Sequence, residues 1–289
     1  MKRLRRTMLF CPATEPKLYI NSLIYRPDCI IFDLEDAVTY SEKDSARDLL
    51  CEAVKAVDFG DVEVFARVNS LDSEFGITDV REVVKAGIRN IRLPMCESKE
   101  DVLKLDELLY EVEENNGIPA GTVKIQCAIE TPKGVLNAYD IASACCRVIA
   151  ISFGAEDFTR VLCTERTRDA KELYLARHYI PLAASAVGID SIDTVWKDID
   201  DMEGFRNEAR EAKEIGFSGK SCIHPLQVKE VHKIYAPGEK EIEESKSIIT
   251  AAEEAEKKGI GVILVNGKMV DAPIIAKANR ILERAMQIR

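Results

Sequence analysis

The chain has 289 residues, of which 46% are hydrophobic and 31% are charged, a composition typical of a globular protein in solution. Its net charge of −10 argues against a surface that follows the phosphates of a nucleic acid. No stretch approaches the roughly 18 consecutive apolar residues of a membrane span, and the basic cluster from Lys2 to Arg6 lacks the apolar segment of a secretion signal; we therefore expect a soluble, cytoplasmic protein with no nucleic-acid or membrane partner.

Short runs rich in β-branched residues alternate with longer amphipathic stretches along the chain. The predicted strands are Thr7–Cys11, Cys29–Phe32, Val62–Val68, Ile91–Leu93, Val123–Ile129, Val148–Phe153, Ser191–Val195 and Phe217–Ile223. Eight strands separated by helices predict parallel pairing through right-handed crossovers, and eight such units close into a barrel. The fold class is therefore α/β, a (β/α)8 TIM barrel over residues 1–225. An open doubly wound sheet is the main alternative, but it requires a glycine-rich turn after the first strand, where this chain has Cys11-Pro12-Ala13-Thr14.

Between the predicted strands, the apolar residues recur with helical spacing. Ser98, followed three residues later by Asp101, has the pattern of a capping box at the start of a helix. Ser41 with Asp44 has a similar pattern. The predicted helical stretches are 46–57, 102–112, 132–139, 173–187 and 202–212, the last two ending at Gly188 and Gly216.

The alternation of strands and helices ends near residue 225. A charged helix over Glu239–Lys258 precedes two apolar runs, Gly261–Val265 and Lys268–Val270, that flank Asn266-Gly267, a strong hairpin signal. A last helix follows over Pro273–Gln287. Residues 226–289 are therefore predicted to be a C-terminal helix–hairpin–helix extension, which packs on its own barrel or on a neighbouring subunit.

Active groups of a barrel gather at the carboxyl ends of its strands. The polar residues at those positions are mostly carboxylates: Asp33, Glu35 and Asp36 after the second strand, Arg67 and Asn69 after the third, Glu130 after the fifth, and Glu156 and Asp157 after the sixth. Such a set of acidic residues with one arginine predicts a binding site at this end of the barrel.

Glu130 and Asp157 follow adjacent strands, so their carboxylates can approach the same point. Two carboxylates in an otherwise open shell suit Mg²⁺, which keeps several waters and takes further ligands from a substrate. The alternative is that each carboxylate caps the helix that follows it. The nine cysteines have no C-x-x-C spacing, which favours reduced core thiols over a disulfide framework or a zinc site.

Arg67 at a barrel mouth can bind a carboxylate bidentately. It can also form a salt bridge with Asp33 or Glu35, and the two roles are compatible. Asp33, Glu35 and Asp36 are equally suited to orient metal-bound waters or to pair with Arg67.

Three further residues are assigned structural roles. His224 beside a proline at a strand end favours a hydrogen-bonded structural histidine, and Trp196 is interpreted as a packing residue. A Schiff-base role for Lys220 is disfavoured, because no apolar environment that would depress its pKa is evident.

Motifs in order along nearly the whole chain resemble those of citrate lyase β subunits, within a superfamily that also includes malyl-, citramalyl- and methylmalyl-thioester lyases and type II aldolases. The motifs are RTMLFCPA (6–13), IFDLEDAV (31–38), RVNSLDSEFG (67–76), AIETP (128–132), GAEDF (154–158), CTERTR (163–168), GKS (219–221) and NGKMVDAP (266–273).

The resemblance implies a Mg²⁺-dependent lyase that cleaves a citryl thioester into oxaloacetate and an acetyl thioester. It implies that Glu130 and Asp157 bind Mg²⁺, and that Arg67 engages the oxaloacetate portion of the substrate. It places Asp271 as an acid or base delivered from a neighbouring subunit, a role compatible with capping the last helix. Gly154, Ala155 and Glu156 are expected to contact the substrate, and Glu35 and Asp36 are candidates, with a metal-bound water, for taking the hydroxyl proton.

The resemblance also implies partners: an acyl carrier protein, an acyltransferase α subunit, and further copies of the chain in a homotrimer or larger homo-oligomer. One departure is Met95, at a position where a lysine that meets the carrier is expected. A free acyl-CoA lyase acting on malyl-, citramalyl- or methylmalyl-CoA is the first alternative. A non-catalytic scaffold subunit is the second.

Overall fold

The computed structural model describes residues 3–257, 263–265 and 268–288 of the chain. Contacts separate two compact units, one being Arg5–Ile234 and the other Tyr235–Arg289 with the residues that precede Arg5. The predicted division between residues 225 and 226 remains a prediction.

The larger unit is built on a closed parallel barrel. Its strands are β1 (Thr7–Pro12), β2 (Cys29–Asp33), β3 (Glu63–Arg67), β4 (Asn90–Leu93), β5 (Lys124–Ile129), β6 (Val148–Phe153), β7 (Asp190–Asp193) and β8 (Gly219–Cys222). Each strand pairs in parallel with the next, and β1 pairs with β8, so that Met8 lies between Cys29 and Ser221 and closes the ring. The predicted (β/α)8 barrel is confirmed, and the alternative of an open sheet is wrong.

Helices cover the outside of this barrel. They are α1 (Pro16–Asn21), α2 (Lys43–Ala56), α3 (Gly76–Ala86), α4 (Lys99–Asn115), α5 (Pro132–Leu136), α6 (Ala138–Ala142), α7 (Ala155–Val161), α8 (Tyr174–Val187), α9 (Met202–Ile215) and α10 (Pro225–Tyr235), with short 3-10 turns at Ser22–Tyr25, Tyr40–Glu42 and Lys171–Leu173. The buried face of α3, which includes Val80, Val83 and Val84, packs inward although no helix is predicted there.

The N-termini of α4 and α2 show which of the two predicted capping boxes forms. At α4 the capping box is confirmed, since the Ser98 hydroxyl accepts from the Asp101 backbone N–H and the Asp101 carboxylate accepts from the Ser98 N–H. The prediction at Ser41 is wrong, because this residue lies inside a 3-10 turn and α2 starts at Lys43 with no side-chain cap. Gly188 and Gly216 end α8 and α9 in the left-handed conformation, as predicted.

The inside of the barrel is filled by side chains rather than open. Met8, Cys29, Ile31, Phe65 and Ile192 form a fully buried cluster across the strands. Packing of this kind makes the barrel a core rather than a pore. A binding site that admits a ligand is therefore expected at the ends of the strands.

Lys220 ties three elements of the barrel wall together. It is fully buried, and its Nζ donates to Asp193 Oδ2 at 2.9 Å, to Glu208 Oε1 at 2.7 Å and to the Thr194 carbonyl at 2.9 Å. These three acceptors match the three N–H groups of an ammonium. Lys220 on β8 thus joins β7 to α9, which supports a structural role.

Replacing Lys220 tests this role. We expect Lys220→Met to lower the free energy of unfolding by about 3 kcal/mol, the lower end of the range for breaking a buried ion pair, because Asp193 and Glu208 would each lose one buried cation and keep only Arg177 and Arg166 as partners. Urea unfolding followed by circular dichroism measures the change, with the exposed Lys17→Met as control. A loss below about 1 kcal/mol, the range of surface pairs, would contradict the assignment.

The smaller unit contains α11 (Glu239–Lys257), β9 (Ile263–Val265), β10 (Lys268–Val270) and α12 (Ala272–Gln287). The strands β9 and β10 pair antiparallel, as the hairpin prediction requires, while Asn266-Gly267 and the end of the predicted helix at Lys258 lie outside the described residues. Asp271 caps α12, because its Oδ1 accepts from the Ile274 N–H at 3.3 Å.

The described helices were also compared with the requirements of a membrane span. Within residues 3–257, 263–265 and 268–288, no helix combines the length and apolar character needed to cross a bilayer.

Candidate functional site

Neighbouring strands bring Asp33 and Arg67 together at the carboxyl end of the barrel. The two residues are register partners at the ends of β2 and β3. Arg67 Nε donates to Asp33 Oδ1 at 2.7 Å, and Arg67 Nη2 donates to Asp33 Oδ2 at 2.5 Å. This is the bidentate geometry in which arginine and carboxylate match best. The salt bridge predicted for Arg67 is present.

The outer nitrogen of the same guanidinium reaches the loop after β2. Arg67 Nη1 lies 3.0 Å from both Glu35 Oε2 and Asp36 Oδ2. Asp33 shapes this loop as well, since its carboxylate accepts from the backbone N–H groups of Glu35 and Ala37. The three predicted carboxylates after β2 are therefore gathered around Arg67.

Glu130, at the end of β5, is held by backbone. It is 4% exposed, and its Oε2 accepts from the Met95 N–H at 2.9 Å. Met95 has a φ of 51°, a left-handed conformation that non-glycine residues rarely adopt. Gly154 stands on the other side, where an added Cβ would lie 2.5 Å from Glu130 Cγ. Two strand-end loops thus define where this carboxylate lies.

Asp157 and Glu156 start α7 but have different partners. Asp157 Oδ1 pairs with the exposed Arg160 at 2.6 Å, and its charge contributes to the pKa of Glu130. Glu156 points to other cations, Arg166 at 2.8 Å and Lys197 at 2.6 Å. Asp157 is therefore an electrostatic neighbour of Glu130, whereas Glu156 belongs to a separate ion-pair group.

The helix-capping alternative for the two predicted metal ligands is not observed. Thr131 caps α5, because its hydroxyl accepts from the Gly134 N–H at 3.0 Å. The N-cap of α7 is Gly154, which has no side-chain cap bond. The carboxylates of Glu130 and Asp157 do not serve as caps. Among the described residues, no three or more His, Cys, Asp or Glu side chains surround a common metal position, so these two would form an open site.

Negative charge exceeds positive charge at this end of the barrel. Burial raises the pKa of Glu35 to about 8, opposed by Arg67 and reinforced by the charges of Asp36, Glu130 and Asp33. Burial also raises the pKa of Glu130, opposed by Arg92, the Met95 N–H and Arg67. A bound cation would relieve this repulsion, so the donor set fits a divalent ion.

The strand-end analysis missed Arg92 of β4. This residue is 3% exposed, and its guanidinium stacks on Phe10 with 5.2 Å between Cζ and the ring centroid. Burial lowers its pKa to about 10, an effect that Glu130 opposes. The signal in the sequence is an arginine between Ile91 and Leu93, where strand alternation directs one polar side chain away from its apolar neighbours.

Other predicted residues have structural contacts. His224 Nδ1 accepts from the Leu226 N–H at 3.3 Å, in line with the structural role predicted for it. Asn69 donates to the Leu34 carbonyl and to Asp79, so it holds a turn. Ala155 donates its N–H to Thr194 Oγ1 at 3.1 Å. Asp271 lies in the smaller unit, and its role in catalysis remains a prediction.

Comparison with known proteins places this geometry in a family. The family model described as HpcH/HpaI aldolase/citrate lyase matches residues 6–225. The chain is 48% identical over 283 residues to the citrate lyase subunit beta of Haemophilus influenzae, covering 98% of this chain and 97% of that protein. It is 33% identical over 283 residues to a (3S)-malyl-CoA thioesterase of Cereibacter sphaeroides, covering 98% and 95%.

A solved structure has the same fold. It is a citrate lyase beta subunit from M. tuberculosis complexed with oxaloacetate and magnesium, with a TM-score of 0.69, 30% identity, and coverage of 81% of this chain and 98% of that one. The present chain belongs to the HpcH/HpaI aldolase/citrate lyase family, and it is a lyase.

The raised pKa of Glu35 predicts a pH dependence of stability. A carboxyl whose pKa is higher in the folded state than in the unfolded state favours folding below the unfolded pKa, and that contribution is lost as pH rises towards about 8. Without added metal, the wild type should therefore lose stability relative to Glu35→Gln between pH 5 and pH 9. Urea unfolding at both pH values measures the difference. The exposed Glu100→Gln should show no such trend, and a pH-independent difference for Glu35→Gln would refute the shift.

Proposed function

We propose that the chain is the β subunit of a citrate lyase, which cleaves the citryl thioester of an acyl carrier protein into oxaloacetate and an acetyl thioester. The observation that carries the proposal is the grouping of Arg67 with the carboxylates Glu35, Asp36 and Glu130 at the barrel mouth. The relative that is 48% identical over nearly its whole length supports the choice of substrate.

Mg²⁺ is the cofactor that we propose for Glu130 and Asp157. The related M. tuberculosis structure is complexed with magnesium and oxaloacetate. The buried carboxylate of Glu130 and the half-buried carboxylate of Asp157 repel each other and are hard oxygen donors of the kind Mg²⁺ prefers. When bound, the ion supplies a Lewis acid that polarises the substrate hydroxyl and lowers its pKa.

The residues of the chain then have distinct tasks. Asp33 fixes Arg67 through its Nε and Nη2, and we assign the remaining Nη1, which faces Glu35 and Asp36, to a substrate carboxylate. Glu35, whose pKa is about 8, exchanges protons near neutral pH and is our choice for taking the hydroxyl proton, with Asp36 beside it.

The bond from the hydroxyl-bearing carbon to the thioester-bearing methylene then breaks. The oxygen electrons form the keto group of oxaloacetate, and the bonding pair passes to the thioester as an enolate. We assign to Asp271 of a neighbouring subunit the proton that this enolate carbon takes up.

The loop after β6 completes the proposed substrate site. The backbone of Gly154 lies so close to Glu130 that a side chain at position 154 would collide with that carboxylate, and Ala155 follows it in the chain. Glu156 acts on this loop through its ion pairs with Arg166 and Lys197. The proposed partners are an acyl carrier protein, an acyltransferase α subunit and further copies of the chain in a homo-oligomer of at least three, in the cytoplasm.

A free acyl-CoA lyase is the second candidate function. The 33% identity to a (3S)-malyl-CoA thioesterase favours a relation to enzymes that act on coenzyme A thioesters. Met95, in place of the lysine expected to meet the carrier, is compatible with either thioester. A scaffold subunit without catalysis is disfavoured, since it would not require an arginine amid buried carboxylates.

Turnover by the purified chain tests the proposal. With Mg²⁺ we expect oxaloacetate release from citryl thioesters, and EDTA should abolish it. Glu130→Gln should lower kcat/KM by about 10³-fold, because a Lewis acid contributes several kcal/mol to such a reaction. Oxaloacetate is followed with malate dehydrogenase. Cleavage of malyl- or citramalyl-CoA but not of citryl-CoA or the citryl carrier protein would establish the second candidate instead, and no turnover of any of these would favour the scaffold.

Gly154→Ala tests the metal site separately from turnover. The new Cβ would lie 2.5 Å from Glu130 Cγ and 2.7 Å from its Oε1, so the carboxylate must move. We expect Mn²⁺ affinity, measured by electron paramagnetic resonance, to fall about tenfold or more, the effect typical of disturbed ligand orientation. In the control Gly238→Ala the Cβ meets only Glu241 at 3.7 Å. Unchanged Mn²⁺ affinity in Gly154→Ala would argue against Glu130 as a ligand.

A further inference from the structure

Arg92 is a buried cation with unused hydrogen-bonding capacity. Its Nη1 donates to Gln126 Oε1 at 3.2 Å, while its Nε is buried and has no hydrogen-bond partner among the described residues. A guanidinium carries five N–H donors, and leaving a buried donor unpaired costs about 1–3 kcal/mol. Such a group indicates a partner that arrives with a ligand.

The position of Arg92 identifies where this ligand would lie. Arg92 and Arg67 both stack on Phe10, with their Cζ atoms 5.2 and 5.3 Å from the ring centroid. The charges of Glu130 and Glu35 act on Arg92 as they do on the rest of the proposed active site. The two guanidiniums therefore belong to one site, with Phe10 packed against both.

The two arginines differ in how many of their N–H groups already have a partner within the protein. The Nε and Nη2 edge of Arg67 is fully engaged by Asp33, and its Nη1 faces Glu35 and Asp36. Arg92 has no bidentate carboxylate partner among the described residues, and its side-chain contacts are the neutral amide of Gln126 and the ring of Phe10. A carboxylate from the substrate would match the open edge of Arg92.

The number of free carboxylates separates the candidate substrates. A citryl thioester has two, one on the hydroxyl-bearing carbon and one on a methylene arm, whereas malyl and citramalyl thioesters have only the first. We propose that Arg92 binds the second carboxylate, that of the methylene arm, and so determines specificity for citryl over malyl and citramalyl thioesters. This inference rests on the proposed function, because it names the group that would select the substrate at the same site.

Gln126 prepares Arg92 for this task. It is fully buried, and its Nε2 contacts Met8 Sδ at 3.0 Å while its Oε1 accepts from Arg92. The amide thus connects the packed barrel interior to the guanidinium. A guanidinium held in this way loses little further freedom when a carboxylate binds.

Oxaloacetate and pyruvate provide the test, since they differ only by the carboxylate in question. Dissociation constants are measured by calorimetry with Mg²⁺ for the wild type, Arg92→Met, Arg92→Lys and the exposed control Arg81→Met. We expect the wild type and the control to bind oxaloacetate at least tenfold more tightly than pyruvate. In Arg92→Met this preference should fall by about 10- to 100-fold, the value of hydrogen bonds to a charged group.

The outcomes distinguish a role of Arg92 in substrate specificity from a purely structural role. A structural role would weaken both ligands equally and leave the preference unchanged, which would overturn the inference, as would a wild type without preference. Should Arg92→Met fail to fold, Arg92→Lys decides: its ammonium keeps the charge but not the bidentate fork, and the preference should fall at least threefold. Citryl thioester cleavage by the wild type is measured in parallel. If cleavage is present but the preference is unchanged, the inference alone fails, whereas absent cleavage refutes the proposed function.

Discussion

The bidentate pair between Asp33 and Arg67 organises the carboxyl end of the barrel. Each residue ends one of two adjacent strands, so the ion pair reinforces the end of the β2–β3 ladder, where the Leu34 N–H still donates to the Arg67 carbonyl. Because Asp33 also accepts from the backbone of the next loop, it positions Glu35 as it orients Arg67. The pair holds the buried guanidinium of Arg67 in place. Its positive charge offsets the repulsion among the remaining carboxylates, which can therefore lie close together.

Strand periodicity was sufficient to predict the barrel, and strand ends were sufficient to predict most of the carboxylate cluster. In parallel strands the side-chain period and the chain direction together determine which residues reach the mouth, and neither depends on distant packing. Capping was predictable where a serine directly preceded its helix, as at Ser98. It failed at Ser41, because the 3-10 turn Tyr40–Glu42 precedes the helix, which starts at Lys43.

The residues that sequence reasoning missed depend on contacts between distant segments. Arg92 stands between two apolar residues, and its contacts with Phe10 and Gln126 join segments far apart in the chain. The partners of Glu156 are of the same kind, since Arg166 and Lys197 follow different secondary elements. A spacing rule cannot pair such groups, because the barrel closure that brings them together is a property of the whole fold.

The contact between Met95 and Glu130 is made by the backbone of residue 95 and not by its side chain. The carboxylate is oriented by the amide N–H of residue 95, which every amino acid except proline provides, and not by its side chain. Substitutions that keep the left-handed backbone conformation of residue 95 can therefore change the side chain of this loop while the orientation of Glu130 persists. The side chain that this loop presents and the orientation of the carboxylate beneath it are consequently able to change independently.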